Sequence, residues 1–295
     1  MITDDDQKEL LIRHKEKSSK YLEYYLISVE KCLYALHTSI SNATDGNIVT
    51  GLLIREWLEM VDAIEHLFKE NKIPPAMILT RTAFEVLMQL QYLNDGDTDE
   101  KAACFNKFVS YKNANSIENL IKINQKNGKT NNSELEKILK ESKKNFEKTN
   151  SQAEKIAKDK LLARKKHGYP RGWYHVYDQK ITSIAGLARN INDSITLSLY
   201  ELTYNYLSMY AHGTQSGNNI FVLPNGQSFL KSFGNPQNGV IVLNFIHEMF
   251  LAIIELLKKQ YPSIGWDSII DISILEKQPD LMNEIRDIEH NIDIF

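Results

Sequence analysis

Apolar residues recur at three- and four-residue intervals along most of this chain, the spacing that gathers them on one face of an α-helix. Leu10, Leu11, Tyr21, Leu22, Tyr25, Leu26, Val29, Cys32, Leu33 and Leu36 carry the pattern through one long amphipathic helix, from about Asp5 to Ser41, which Asn42 to Gly46 ends. The same spacing predicts helices over Ile48–Asn71, Pro74–Leu93, with proline in the first turn, and Thr98–Asn127. Short turns between them predict antiparallel neighbours in a bundle.

Beyond a loop at Asn127–Asn132 the pattern thins. Ser133–Lys166 reads as one helix whose apolar positions, such as Leu135, Ile138, Phe146 and Leu161, are sparse and whose surface is basic, an arm over 128–166 that projects or packs loosely. His167–Gln179 is an aromatic-rich loop, within an expected loop region of 167–180. Ile181–Ile191 predicts a short helix, and Ser194–His212 a longer one with Asp193 or Ser194 as N-cap. Residues 218–242 cluster β-forming residues around Asn225-Gly226 and Asn238-Gly239, which predicts a small hairpin or ordered loop. A buried helix then ends near Tyr261, and short helical pieces follow at Trp266–Ile274 and Pro279–His290. The expected architecture is all-α, a multi-helix bundle in one domain over 1–295 with a small β-hairpin insertion near 218–242.

Composition narrows the class. A chain of 295 residues that is 42% hydrophobic, with 13 Gly and 7 Pro, has enough apolar side chains for a sizeable core and is not a disordered or collagen-like sequence. Cys32 and Cys104 are too few for a disulfide scaffold and are not spaced as a zinc site, so they read as ordinary thiols of a reducing compartment. The acidic, mixed-charge N-terminus has no signal-peptide core, and the expected location is the cytoplasm. The most apolar stretch, Val240 to Leu257, is interrupted by Asn244, His247, Glu248 and Glu255, and reads as a core helix rather than a membrane span.

Charge is unevenly spread. Lys122–Lys166 holds 14 Lys and Arg against 6 Asp and Glu, a net +8, leaving 21 against 32, or −11, elsewhere. Such an arm suits RNA phosphates, although Lys-rich helices with little aromatic interleaving are also simply solvated.

No GxxxxGK[ST], GxGxxG, HExxH or GxSxG motif occurs, and no histidine follows a glutamate by three residues as a di-iron bundle requires. Neither a metal nor another cofactor is expected. Two polar constellations stand out instead. Arg81 and Glu85 lie one turn apart in a helix that is apolar on almost every side, and buried charges need each other or another partner. Arginine before glutamate is the poorer orientation for an i,i+4 pair, which predicts a reach to another helix. Glu201, Asn205, Ser208 and His212 fall on one helical stripe with Tyr204 alongside, and form a candidate for that partner; His212 sits at the expected helix end, where carbonyls favour a protonated imidazole. The segment Tyr169-Pro170-Arg171-Gly172-Trp173-Tyr174-His175 adds aromatic surface and a cation, as either a hydrophobic plug or a base-stacking lid.

Taken in order, Arg81-x-x-x-Glu85, Trp173-Tyr174, Leu187-Ala188 and Tyr204-x-x-Leu207-Ser208-x-x-x-His212-Gly213 resemble the uncharacterised bacterial helical proteins grouped as domain-of-unknown-function family 5677, over about Asn71 to Gly213. More distantly, the Arg-x-x-x-Glu helix is similar to helices of HEPN-like proteins (higher eukaryotes and prokaryotes nucleotide-binding). These include toxin and antiviral ribonucleases that cleave through the ribose 2′-OH without metal and carry Arg-x4-6-His on one helix; Arg171-x-x-x-His175 is one residue short of that spacing. The resemblance implies a HEPN-like ribonuclease or nucleotide-binding effector of a toxin or phage-defence system. In that reading His212 is general acid/base, Arg81 steadies phosphate charge, and Glu85 and Ser208 orient them. Trp173 and Tyr174 stack a base, with Arg171, His175, Tyr204 and Asn205 lining the substrate site. RNA or a nucleotide, a second copy of the chain and a neutralising partner protein are the expected partners, with no membrane. The alternatives are a non-catalytic dimeric scaffold and a small-anion or nucleotide sensor.

Overall fold

The strongest apolar stripes become the longest helices. The structure, a computed structural model, describes residues 4–40, 43–128, 131–165, 168, 170–191, 193–211, 220–222, 228–230, 238–270 and 277–292. Helices α1 (Asp4–Ser39), α2 (Asp45–Lys69), α3 (Ile73–Leu93) and α4 (Thr98–Lys126) follow the apolar spacing, and the fold is all-α. Helix α2 starts ahead of the expected Ile48. Thr44 Oγ1 accepts the Asn47 N–H at 3.3 Å and Asp99 accepts that of Gly46 at 3.0 Å, so first-turn donors are satisfied within the segment read as a break.

The basic arm is two helices, α5 (Ser133–Glu147) and α6 (Gln152–Lys165), rather than one. The break is a capping arrangement: Ser151 Oγ accepts the Glu154 N–H at 3.2 Å, and the Glu154 carboxylate reaches back to the N–H of Asn150. Both helices pack along α4. The aromatic loop holds a short helix, α7 (Trp173–Tyr177), and α8 (Ile184–Asn190) is capped by Ser183, which accepts the Gly186 N–H. Next come α9 (Ser194–Leu199), a π-helical turn at Tyr200–Tyr204, and α10 (Asn205–Ala211), with Asp193 accepting the N–H groups of Ile195 and Thr196 as N-cap.

In the region 218–237, two three-residue segments are described, β1 (Ile220–Val222) and β2 (Ser228–Leu230), paired antiparallel with Ile220 opposite Leu230. The rest of the expected hairpin there lies outside the described residues, and from Gly239 the chain is helix: α11 (Gly239–Gln260), α12 (Trp266–Ile269) and α13 (Gln278–Asn291).

Where the apolar pattern alone gives one domain, chain contacts group the protein into two compact units. Unit 1 comprises 1–41, 51–90 and 193–295, and unit 2 comprises 42–50 and 91–192. The core of unit 1 is built from Leu22, Tyr25, Val29, Trp57, Val61, Phe68, Phe84 and Leu87 with the buried face of α11, Phe245, Ile246, Met249, Phe250 and Ile253. Among the described residues α11 is the one helix long and apolar enough to cross a membrane, and more than half of its most apolar window is buried inside the protein. Its N-terminus is held by a side chain of a later helix. Glu289 Oε1 accepts the Val240 N–H at 2.9 Å and lies 3.1 Å from Nε2 of the buried His14, whose Nδ1 is 3.2 Å from Asn71 Oδ1. A carboxylate at that end complements the helix dipole.

Unit 2 is organised by two lysines that α4 buries. Lys101 Nζ donates to the carbonyls of Tyr92, at 2.7 Å, and Asp95, closing the C-terminal end of α3, and sits 4.1 Å from the Tyr92 ring centroid. Lys107 Nζ donates to the Lys148 carbonyl and lies 3.6 Å from Glu154, so it anchors the turn between α5 and α6. The arm is therefore docked by α4 rather than loosely projecting.

Candidate functional site

In unit 1, α3 presents Arg81 and Glu85 on one turn, and the segment running through the π-helical turn into α10 presents Tyr204 and Ser208. Arg81 Nε donates to Ser208 Oγ at 3.0 Å, and Nη2 donates to the Tyr204 hydroxyl at 2.9 Å and to Glu85 Oε1 at 2.9 Å. The Tyr204 hydroxyl donates in turn to the same Glu85 oxygen at 2.8 Å, and Ser208 Oγ to the Tyr204 carbonyl at 2.8 Å. The pair thus closes within α3 and also reaches across, as the residue order predicted. Arg81 and Glu85 are 24% and 23% exposed, so the cluster is half-buried rather than sealed.

Packing fixes these groups from behind. The Tyr204 ring stacks on Tyr200 at 5.0 Å between centroids, tilts against Phe84 at 6.0 Å, and lies 5.1 Å under the Arg81 guanidinium. Burial, then the bond to Glu85, push the Tyr204 phenol up from 10.0 to about 12. At neutral pH it is a hydrogen-bond donor, not a base. Because the folded value is the higher one, its contribution to stability is complete below pH 10 and is lost as the pH rises toward 12. Ultraviolet titration of wild type against Tyr204→Phe should show one phenol ionising near pH 12. In Glu85→Gln that step should move down toward the ordinary value but stay above it, since burial is the larger cause; an unmoved step would show that Glu85 contributes nothing.

The stripe only partly keeps its expected face, and a π-helical turn at Tyr200–Tyr204 interrupts it. A π-helical turn bonds i to i+5 and rotates the residues that follow it, a feature frequent at functional sites. Tyr204 is buried and Ser208 half-buried, while Glu201 and Asn205 are exposed to solvent. Asn205 makes no side-chain bond to this network. His212 lies outside the described residues.

The aromatic segment belongs to unit 2. Trp173, 2% exposed, packs on Tyr92, Phe105 and Tyr174 at 5.7, 6.0 and 6.2 Å between centroids, and Tyr174 is 6% exposed. Neither ring keeps an open face for a base, so both take the plug position rather than that of a stacking platform. Arg171 is exposed and His175 half-buried, at the start of α7. Cys32 and Cys104 are buried, which pushes both thiols up to about 12 and leaves them unreactive. Among the described residues no group of three or more His, Cys, Asp or Glu is gathered as a metal ion needs. Sequence reasoning missed His14 and Glu289, whose partners come from distant parts of the chain and leave no local spacing to find, and Lys101, whose acceptors are nearby backbone carbonyls that no side-chain pattern marks.

A family model described as a family of unknown function, DUF5677, matches residues 47–228. The chain belongs to this family. The DUF5677 match is wider than the span of the motifs that suggested it, and takes in Arg81, Glu85, Tyr204, Ser208 and His212 together with helices α4 to α8. No curated protein and no solved structure matches the chain.

Proposed function

We propose that this DUF5677 protein is a metal-independent, HEPN-like ribonuclease, an activity that suits an effector of a toxin or phage-defence system. The observation that carries the reading is the state of Arg81. Its guanidinium is held along one edge by Ser208, Tyr204 and Glu85, while Nη1 makes no hydrogen bond among the described residues and the side chain is partly open to solvent. A planar fork fixed on one side and free on the other is suited to meet a phosphate oxygen with charge-assisted bonds.

In this reading a base removes the ribose 2′-OH proton, the 2′ oxygen attacks the adjacent phosphorus, and the P–O5′ bond breaks as the leaving oxygen is protonated. His212, four residues after Ser208 in the sequence, moves those protons. Arg81 stabilises the charge that builds on the phosphoryl oxygens, and no reorganisation is needed because its position is already set. Glu85, Ser208 and the un-ionised Tyr204 are positioning residues that act through Arg81. The basic surface of α5 and α6 adds salt-sensitive affinity for the strand.

Wild type and His212→Ala, incubated with mixed RNA in EDTA, test the assignment. Cleavage by wild type and its loss in a variant with unchanged melting are expected; cleavage retained by the variant overturns the role of His212. One observation favours a second reading: Glu85 already neutralises Arg81, which suits a small-anion or nucleotide sensor that binds without turnover. Thermal stabilisation by a nucleotide with no RNA cleaved would mark that case.

A further inference from the structure

Unit 2 holds a second group of cations, separate from the Arg81 cluster. Arg164, in the last turn of α6, has its Nη2 group buried away from solvent with no hydrogen-bond partner among the described residues. Arg171, just before α7, is exposed, and its backbone N–H donates to His175 Nδ1 at a long 3.5 Å. Helix α6 packs against α7. Burial first, then the positive charges of Arg164 and Arg171, hold the His175 imidazole below its ordinary pKa of 6.5. The ring is consequently neutral at pH 7, and with Nδ1 accepting, its proton sits on Nε2 as a donor.

The chemistry of this group is one-sided. Among the described residues neither Arg164 nor Arg171 has a carboxylate partner, and the pattern differs from the paired lysines nearby, Lys107 with Glu154, Lys158 with Glu147 and Lys160 with Glu100. A desolvated guanidinium N–H with nothing to accept it carries an unfavourable desolvation that an anion's oxygen would relieve. Two guanidinium groups and a neutral imidazole N–H, with no acid among them, supply donors only, the complement of a tetrahedral oxyanion, and the arginine fork matches phosphate geometry.

We propose that Arg164, Arg171 and His175 form a phosphate-binding site in unit 2. It is independent of the Arg81 site and of whether the protein cleaves RNA. The phosphate comes either from the backbone of an RNA strand or from a free phosphoryl compound, and the lysines of α5 and α6 add the long-range attraction that brings either one in.

Calorimetric titration of the full chain tests this with two probes: inorganic phosphate, and a short 2′-O-methylated oligoribonucleotide with hydroxyl groups at both ends, which a 2′-OH-dependent nuclease cannot cut. The variants are Arg164→Gln and Arg171→Gln. Arg55→Gln, an exposed arginine of unit 1 paired with Glu59, controls for general loss of charge. Each of the first two should weaken binding by about tenfold or more, the worth of a charge-assisted bond, while Arg55→Gln binds as wild type does. The probe that shows the loss identifies the source of the phosphate. Should Arg164→Gln fail to fold, Arg164→Lys, which keeps the charge and loses the fork, takes its place and should also bind more weakly. Wild-type binding of neither probe, or equal binding by wild type and variants, overturns the site.

Discussion

Arg81→Lys should lower RNA cleavage by about a hundredfold to a thousandfold while leaving the melting temperature nearly unchanged, the loss typical of removing one preorganised donor to transition-state charge. Lysine keeps a positive charge beside Glu85 and so avoids a stranded carboxylate. A single ammonium cannot bond Ser208 Oγ, the Tyr204 hydroxyl and Glu85 Oε1 together and still offer donors outward, as the guanidinium does. Arg81→Ala should behave differently, losing cleavage and stability together, because it leaves Glu85 half-buried without its cation. Single-turnover cleavage in EDTA beside thermal melting separates these effects. A lysine variant that cleaves as fast as wild type would remove Arg81 from the chemistry and leave it a structural residue.

Trp173→Ala should cost unit 2 about 3–5 kcal/mol, the range for deleting a large buried aromatic side chain. The indole fills the space among Tyr92, Phe105 and Tyr174, and the remaining atoms cannot close over its volume without moving α7. Urea unfolding followed by circular dichroism measures the loss. The alternative role as a base-stacking surface makes the opposite demand: stability would hold and RNA affinity would fall. A variant that unfolds at the wild-type urea concentration but binds RNA more weakly would therefore reverse the placement of this ring.

What the sequence made legible is what depends on local spacing. The stripes of α1 to α4 and α11 were readable because each buries one regular face, and the Arg81–Glu85 pair stood out because charge in an apolar helix demands a partner. Asp193 was readable as a cap for the same kind of local reason. The break at Ser151 has a sequence signature, Ser-x-x-Glu, but it sits inside a Lys-rich run in which one long solvated helix accounts for the charges equally well. The π turn has no such signature. A stripe drawn at 3.6 residues per turn put Asn205 beside Ser208; both lie in α10, but Asn205 falls on its solvent edge while Ser208 is half-buried, and spacing alone does not show which edge faces Arg81. Tertiary packing decides the remaining cases: an aromatic cluster such as Trp173-Tyr174 serves as core or as open surface with the same composition, and Arg164, the last but one residue of a basic helix, has a buried nitrogen, unpartnered among the described residues, that helical spacing does not show.

Cleavage of RNA through the ribose 2′-OH, with Arg81 at the phosphate, is the activity proposed for this DUF5677 chain. The chemical ends of the products test it most directly: wild-type protein is incubated with a defined RNA strand in EDTA and the fragments are analysed by mass. The expected ends are a 2′,3′-cyclic phosphate on one fragment and a 5′-hydroxyl on the other. Intact RNA, or fragments with 3′-hydroxyl and 5′-phosphate ends, would contradict it.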